Sequence, residues 1–325
     1  MPMMPMQVDD RMLDDARRFN RRLARLPRFR YRNRLVPLLG QGLLRLSQLG
    51  ADARLRRTGL QVERHLVHTR AGGRPVPVRV LRPAGPLRGI VLDIHGGGWV
   101  IGNPEMNDAF NAPMARECGV AVVSVGYRLA PGAALTAMMD DCLAAARWLL
   151  EGGLPGTAAL PVIVVGESAG GQLAAATLLR LKAWPALFAR VAGAVLYYGV
   201  YDMAGSDSVR GAGPETLVLD GPAMLPALRL LTPGLDDAAR RQAPLSPLYG
   251  DLAGMPPALM YSGERDPLRD DTVLLARRWG EVAEVELNVL PEAPHGFIHF
   301  PVAMGRAACA HTRKWIGARL EEVRR

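Results

Sequence analysis

Residues 161–182 read PVIVVGESAGGQLAAATLLRLK and bring three features together in one short stretch. An apolar run comes first, a serine between two glycines follows it, and a stretch that favours a helix comes last. A serine in this setting lies on a turn so sharp that side chains two residues to either side would clash, and glycine stands at both places. The stretch therefore predicts a strand, a nucleophile elbow at Ser168, and a helix whose amino end supplies free N–H groups behind the serine.

Other short apolar runs lie on both sides of this stretch, and helical stretches separate them. The runs are Gly89–Ile94, Val120–Val125, Pro161–Val165, Val191–Tyr198, Pro257–Tyr261 and Val285–Leu290. The helical stretches are Asp140–Leu150, Gly171–Leu181, Asp270–Trp279 and Ala307–Arg319. Such runs are typical of strands buried on both faces, and their alternation with helices predicts a doubly wound, mostly parallel α/β sheet. Ahead of them, Val62, His65–Leu66 and Val76–Val80 predict two antiparallel strands joined by a turn at Ala71-Gly72-Gly73.

Two segments depart from this alternation. Residues 1–50 have an apolar stripe at helical spacing that Pro27 interrupts, and residues 201–243 are rich in Gly and Pro without a strand pattern. We expect residues 1–50 to form an N-terminal helical cap segment, and residues 51–325 to form the body with a cap insertion at 201–243. For residues 1–50 the alternative is an amphipathic anchor lying on a membrane surface.

The composition narrows the class of protein. With 325 residues, 49% of them hydrophobic, the chain is long enough for one large core. Its formal charge is +9, carried mostly by Arg, and no RNA- or DNA-binding motif accompanies it, so we expect no nucleic-acid partner. No apolar run has the length of a membrane span, and the N-terminus lacks the apolar core of a signal peptide. Three scattered cysteines give no disulfide framework, which favours a cytoplasmic location.

A second motif, His95-Gly96-Gly97-Gly98-Trp99, follows the run Gly89–Ile94. Consecutive glycines leave backbone N–H groups bare and able to approach a substrate closely. We expect the N–H groups of Gly97 and Gly98, joined by that of Ala169, to form an oxyanion hole. A nucleotide-binding loop would need GxGxxG or a GK[ST] ending, and neither is present. We interpret His95 itself as structural.

A carboxylate and an imidazole follow two of the later strands. Asp266 comes after Pro257–Tyr261, at the strand end where α/β sites form. We favour it over Asp270 and Asp271, which fall where a helix begins and where capping carboxylates are ordinary.

His295 lies in a loop after Val285–Leu290, with Gly296 beside it. We favour it over His299, which we interpret as a core or surface residue in an apolar run. The six histidines show no metal-ligand spacing, so we expect no metal. The chain order Ser, Asp, His is that of α/β-hydrolases and predicts a serine hydrolase in which His295 deprotonates Ser168 and Asp266 orients the imidazole.

From about residue 60 onward the sequence resembles the hormone-sensitive-lipase family of esterases, known in bacteria as family IV. The matching motifs are His95-Gly96-Gly97-Gly98-Trp99, Tyr127-Arg128-Leu129-Ala130-Pro131, Gly166-Glu167-Ser168-Ala169-Gly170-Gly171, Asp266-Pro267-Leu268 and His295-Gly296-Phe297. The resemblance implies an α/β-hydrolase fold with an eight-stranded sheet and a helical cap, no cofactor, and hydrolysis of short- to medium-chain esters. Dimers are common in the family, so a homodimer is an expected partner beside the ester substrate.

The chain departs from the family pattern around Arg128. Gly126 and Gly132 occupy positions where the family usually has acidic residues, and Ala133-Ala134-Leu135-Thr136 replaces a Pro- and Phe-rich stretch. We therefore expect Arg128 to lack its usual carboxylate partners, with some loss of local order. Glu167 stands where Asp is commoner.

Three other functions compete with ester hydrolysis. The same three residues would serve an amide or lactone hydrolase, because only the leaving group changes. A non-catalytic receptor on this fold is disfavoured, since such receptors lose the catalytic histidine and His295 is present. A lipid-surface protein is the third class, although we expect no membrane contact.

Overall fold

The strands that the structure describes lie in one sheet. The computed structural model describes residues 6–29, 35–68 and 74–323, and within them the strands are β1 (Gln61–Val67), β2 (Val76–Arg82), β3 (Gly89–Ile94), β4 (Val120–Val125), β5 (Val162–Glu167), β6 (Val191–Tyr197), β7 (Ala258–Arg265) and β8 (Val285–Pro294). The helices are α1 (Asp10–Leu23), α2 (Leu35–Ser47), α3 (Ala51–Arg57), α4 (Asp108–Cys118), α5 (Leu135–Leu150), α6 (Ala169–Leu181), α7 (Pro185–Phe188), α8 (Asp207–Arg210), α9 (Gly221–Leu231), α10 (Asp237–Arg240), α11 (Arg269–Gly280) and α12 (Ala303–Glu322).

The strand order is β1-β2-β4-β3-β5-β6-β7-β8. The pairs β1–β2 and β2–β4 are antiparallel, and every later pair is parallel. This confirms the mostly parallel sheet and the antiparallel pair at its start. The predicted turn at Ala71-Gly72-Gly73 lies outside the described residues. The parallel strands from β3 to β8 bring their carboxyl ends to one edge, where the functional side chains gather.

The core has two halves because successive side chains of a strand point to opposite faces of the sheet. On β3, Ile90 and Leu92 belong to the buried cluster that includes residues of α5, α6 and α11, whereas Val91 belongs to the cluster that includes residues of α4 and α12. Six of the strands correspond to the apolar runs of the sequence, and each begins within one residue of the start of its run. The strand β8 runs four residues beyond the predicted end at Leu290 and so carries the chain toward His295.

The two helices of the N-terminal segment, α1 and α2, lie against different parts of the body. Helix α1 lies against β8 and α12, where Asn20 donates to the carbonyl of Glu292 at 2.7 Å and Asp15 accepts from the Ala303 amide at 2.8 Å. Helix α2 instead lies on residues that follow the glycine loop, and Gln41 exchanges two hydrogen bonds with the backbone of Gly102. Within the described ranges no helix is both long and apolar enough to span a membrane.

The segment 201–243 forms the short helices α8, α9 and α10 without a strand. It meets the N-terminal segment at Phe29, whose amide donates to the Val218 carbonyl at 2.6 Å and which forms a bridge with Leu219.

The surroundings of Arg128 differ from expectation. Its guanidinium donates to both carboxylate oxygens of Asp141 on α5, each at 2.8 Å, and its amide donates to the same group at 2.9 Å. The expectation that Arg128 lacks a carboxylate partner is therefore wrong, because α5 brings one from 13 residues away. At Gly126 a Cβ would lie 2.9 Å from both Pro77 and Pro104, so the fold leaves no room for an acidic side chain.

Candidate active site

Ser168 stands between β5 and α6 with φ 52° and ψ −122°, a conformation that an L-residue adopts only under constraint. The flanking glycines permit this turn. A Cβ on Gly166 would overlap the Gly170 carbonyl oxygen, and one on Gly170 would overlap that of Ile94. The predicted strand, sharp turn and helix around this serine thus match the structure.

The structure brings Ser168, His295 and Asp266 into one hydrogen-bonded row. The Oγ of Ser168 lies 2.9 Å from Nε2 of His295, and Nδ1 of His295 lies 2.8 Å from Oδ2 of Asp266. The other oxygen of Asp266 accepts from the Leu268 amide at 2.8 Å. The two strand ends of β7 and β8 deliver the carboxylate and the imidazole, and both side chains are buried. Such a row can move a proton from the hydroxyl to the imidazole.

The rival residues are engaged elsewhere. Asp270 accepts from the Ser208 amide at 3.1 Å, and Asp271 accepts from the amides of Tyr201 and Asp202 at 2.7 and 2.8 Å. Burial raises the pKa of Asp271 to about 7, although its donors act in the opposite direction. Both carboxylates anchor the 201–243 segment to α11 and do not contact the imidazole.

The glycine loop follows β3 and faces Ser168. Gly97 and Gly98 have φ of +97° and +61°, and a Cβ on Gly97 would overlap the Ile101 carbonyl oxygen. Among the described residues, the amides of Gly97, Gly98 and Ala169 have no hydrogen-bond acceptor. Bare amides beside a nucleophile are the arrangement that stabilises a developing oxyanion.

His95 holds this loop in place, in agreement with its interpretation as structural. It is buried, its Nδ1 lies 2.9 Å from the Gly96 carbonyl oxygen, and its ring stacks on Tyr127 at 4.3 Å. The Tyr127 hydroxyl donates to the carbonyl of His95 at 2.8 Å. Burial lowers the pKa of His95 to about 4, so the ring is neutral near pH 7.

A cavity of about 780 Å³ opens beside Ser168 and His295. Its walls are mostly apolar and come from the glycine loop, from residue 29 and from the 201–243 segment. They include Phe29, Trp99, Val200, Val218, Met224 and Leu228. A volume of this size suits a small organic molecule.

The site also contains an ion pair that no sequence motif indicates. Glu167 is buried directly before Ser168, and its Oε2 lies 2.6 Å from Nε2 of His299. His299 is an exposed residue, which agrees with its interpretation as a core or surface residue, but that interpretation missed the contact with Glu167. The two residues are 132 positions apart, so no local spacing could have revealed the contact.

No cluster of three or more His, Cys, Asp or Glu side chains suited to a metal occurs in the ranges that the structure describes. The three cysteines are unpaired thiols, and Cys118 and Cys142 are buried.

Known proteins are similar to this chain in sequence and in fold. Residues 91–299 match the family model described as the α/β-hydrolase fold. The carboxylesterase NlhH of Mycobacterium tuberculosis is 34% identical over 252 residues, which cover 73% of this chain and 76% of that protein. The ethyl acetate hydrolase of Pseudomonas putida is 34% identical over 245 residues, or 71% and 74% of the two chains.

A solved structure extends the likeness beyond sequence. A hormone-sensitive lipase from a metagenome library superimposes with a TM-score of 0.72 at 26% identity, covering 97% of this chain and 99% of that one. The sheet, the matched residues and these relatives agree with one another. The chain is therefore a member of the α/β-hydrolase family, within its hormone-sensitive-lipase group of esterases, and is a carboxylic-ester hydrolase.

Proposed function

We propose that this hydrolase is a serine esterase that cleaves short- to medium-chain acyl esters through an acyl-enzyme on Ser168. The observation that carries the proposal is the row from Asp266 through His295 to Ser168, with contacts of 2.8 and 2.9 Å, at the mouth of an apolar cavity.

The proposed reaction has two halves. Nε2 of His295 accepts the proton of Ser168 while Oγ attacks the ester carbonyl, and the amides of Gly97, Gly98 and Ala169 bind the oxyanion. His295 then protonates the leaving alcohol, and the acyl group remains on Oγ. Water, deprotonated by the same imidazole, hydrolyses this acyl-enzyme and restores Ser168. Asp266 accepts the Nδ1–H throughout and so keeps Nε2 free for the proton.

The cavity supports the choice of acyl group. At about 780 Å³ with apolar walls, it can enclose an acyl chain of a few to several carbons and exclude water from it. The Pseudomonas putida relative is named for ethyl acetate, a short ester. We therefore expect turnover from acetyl esters up to medium-chain esters.

The same proposal includes a cap beside the cavity. We propose that residues 1–50 and the insertion at 201–243 form a cap over the cavity, which the place of Phe29 and of the insertion in the cavity wall supports. A homodimer and a cytoplasmic location are further parts of the proposal. Light scattering would test the first of these two points, and cell fractionation would test the second.

Ser168→Ala tests the proposal directly. It should lower hydrolysis of p-nitrophenyl butyrate by about a million-fold if the three residues act as a unit. Ser47→Ala, on the exposed face of α2, is the matched control and should keep wild-type turnover. Undiminished turnover by Ser168→Ala would refute the assignment.

A further inference from the structure

Glu167 links the nucleophile to the glycine loop. It is the last residue of β5, and its Oε1 accepts the Gly96 amide at 3.2 Å. Gly96 immediately precedes Gly97 and Gly98, which line the cavity. A Cβ on Gly96 would lie only 3.3 Å from the Glu167 carboxyl carbon, so the loop rests directly on this side chain. The carboxylate is therefore one of the supports of the loop, beside His95 and Tyr127.

The other carboxylate oxygen of Glu167 faces the residues around His295. Oε2 accepts the Tyr198 hydroxyl at 3.1 Å and contacts Nε2 of His299 at 2.6 Å. The Tyr198 ring in turn meets the His295 ring edge-on, with centroids 4.7 Å apart. One carboxylate thus contacts the Gly96 amide of the glycine loop and the hydroxyl of Tyr198, whose ring packs against the His295 imidazole.

The charge of this buried carboxylate depends on His299. Burial by itself would raise the pKa of Glu167, but the charge and hydrogen bond of His299, with the Gly96 and Tyr198 donors, lower it to about 2. The carboxylate of Glu167 reciprocally raises the pKa of His299.

Within the part of the chain that the structure describes, the other titratable groups around the pair supply no positive charge. They are Asp93 on β3, Tyr198 after β6, Cys309 on α12, the neutral His95, and His295 on the same turn as His299. His295 must itself be neutral to accept a proton. Of these groups, His299 is the one that can supply a balancing positive charge, once its imidazole is protonated.

We infer that His299 is a positioning residue for the esterase reaction: as an imidazolium it keeps Glu167 ionised, and Glu167 then holds the Gly96 amide and the Tyr198 hydroxyl so that the oxyanion loop and His295 stay aligned. This inference rests on the proposed function of Ser168. It assigns His299 no contact with the reacting atoms.

The inference predicts that kcat falls as the pH rises through the pKa of His299. The positive charge of His299 is present below its raised pKa and is lost as the pH rises through that pKa. The pH profile of kcat should therefore have an alkaline limb from deprotonation of His299.

The test compares two histidine–glutamate pairs that have the same contact distance. His299→Gln retains an N–H donor toward Glu167 but removes the charge, and His311→Gln does the same to the pair of His311 with Glu286, also 2.6 Å apart but outside the cavity lining. On p-nitrophenyl butyrate, His299→Gln should lower kcat about 10-fold with KM within about 2-fold, because the oxyanion loop acts on the transition state. Its alkaline limb should disappear. His311→Gln should match the wild type in both respects.

A second variant covers the case in which His299→Gln does not fold. Glu167→Gln leaves His299 without a carboxylate to balance, so it should show the same loss of kcat and of the alkaline limb. Where both fold, the double variant should be no worse than either single one, since the two changes remove one interaction.

Two outcomes overturn the inference. One is a His299→Gln protein with wild-type kcat and an unchanged alkaline limb, whatever its melting temperature. The other is a change in KM alone. Ser168→Ala, assayed alongside, separates the two proposals: if it stays active the function proposed for Ser168 fails, whereas an inactive Ser168→Ala with an unchanged His299→Gln rejects only the role of His299.

Discussion

His295 and His299 lie four residues apart on one turn, yet each contacts a different carboxylate. His295 lies 2.8 Å from Asp266, which follows β7, and His299 lies 2.6 Å from Glu167, which ends β5. Between the two imidazoles, Gly296 has a left-handed conformation with φ of +75°, which favours glycine. Phe297, buried against Tyr198 and Tyr261, anchors the same turn. One turn therefore carries both the proposed base, His295, and the proposed positioning residue, His299.

Replacing Asp266 by Asn should lower kcat about 10⁴-fold, because the amide would favour the wrong tautomer of His295. The fold should survive, since an amide oxygen can still accept the Leu268 amide. Asp270→Asn is the matched control and should change kcat less than about 3-fold, because Asp270 contacts Ser208 and not the imidazole. Steady-state kinetics on p-nitrophenyl butyrate measures both. Equal losses in the two variants would contradict the role given to Asp266.

Gly97→Ala should lower kcat about 100-fold, because the added Cβ must displace the Ile101 carbonyl and so move the amides that face Ser168. Gly85 is the matched control, since its φ of +88° is similar and a Cβ added there would have no atom within 4 Å. Gly85→Ala should cost about 1 kcal/mol of unfolding free energy and leave kcat unchanged. Urea denaturation and kinetics together separate strain from loss of the oxyanion hole. Full activity in Gly97→Ala would argue against that hole.

Ala227→Phe should shorten the acyl chains that the enzyme accepts, because Ala227 lines the cavity on α9 and a phenyl ring would fill part of it. We expect kcat/KM for p-nitrophenyl octanoate to fall about 10-fold, which corresponds to about 1.4 kcal/mol, while the acetate ester changes little. Arg229→Phe adds an equal ring on the exposed side of the same helix and should change neither substrate. A panel of esters from C2 to C12 gives the readout. An unchanged chain-length profile in Ala227→Phe would place the acyl group elsewhere.

Parts of the structure that depend on neighbouring residues were open to prediction from sequence. The strand before Ser168, the glycines around it and the helix behind it follow from hydrophobic periodicity and from the sterics of one turn. The strands β3 and β4 begin and end where their apolar runs do. The row of Ser168, His295 and Asp266 could be anticipated because each residue follows a strand, and parallel strands end at the same edge.

Contacts between segments far apart in the chain could not be predicted from local sequence patterns. The Asp141 carboxylate reaches Arg128 only because α5 folds back beside it, and no pattern around Arg128 indicates that partner. The position of α1 against β8, away from the cavity wall formed by Phe29, likewise depends on packing between the chain's two ends.

The sequence by itself determined the alternation of strands and helices, the elbow at Ser168 and the identity of the three residues in the hydrogen-bonded row, because these depend on local sterics and on side-chain periodicity. Only the tertiary structure decided that His299 contacts Glu167 and that the cavity has a volume of about 780 Å³. Both depend on distances between side chains far apart in the chain, and a buried charge selects its partner by proximity in space and not by spacing in sequence.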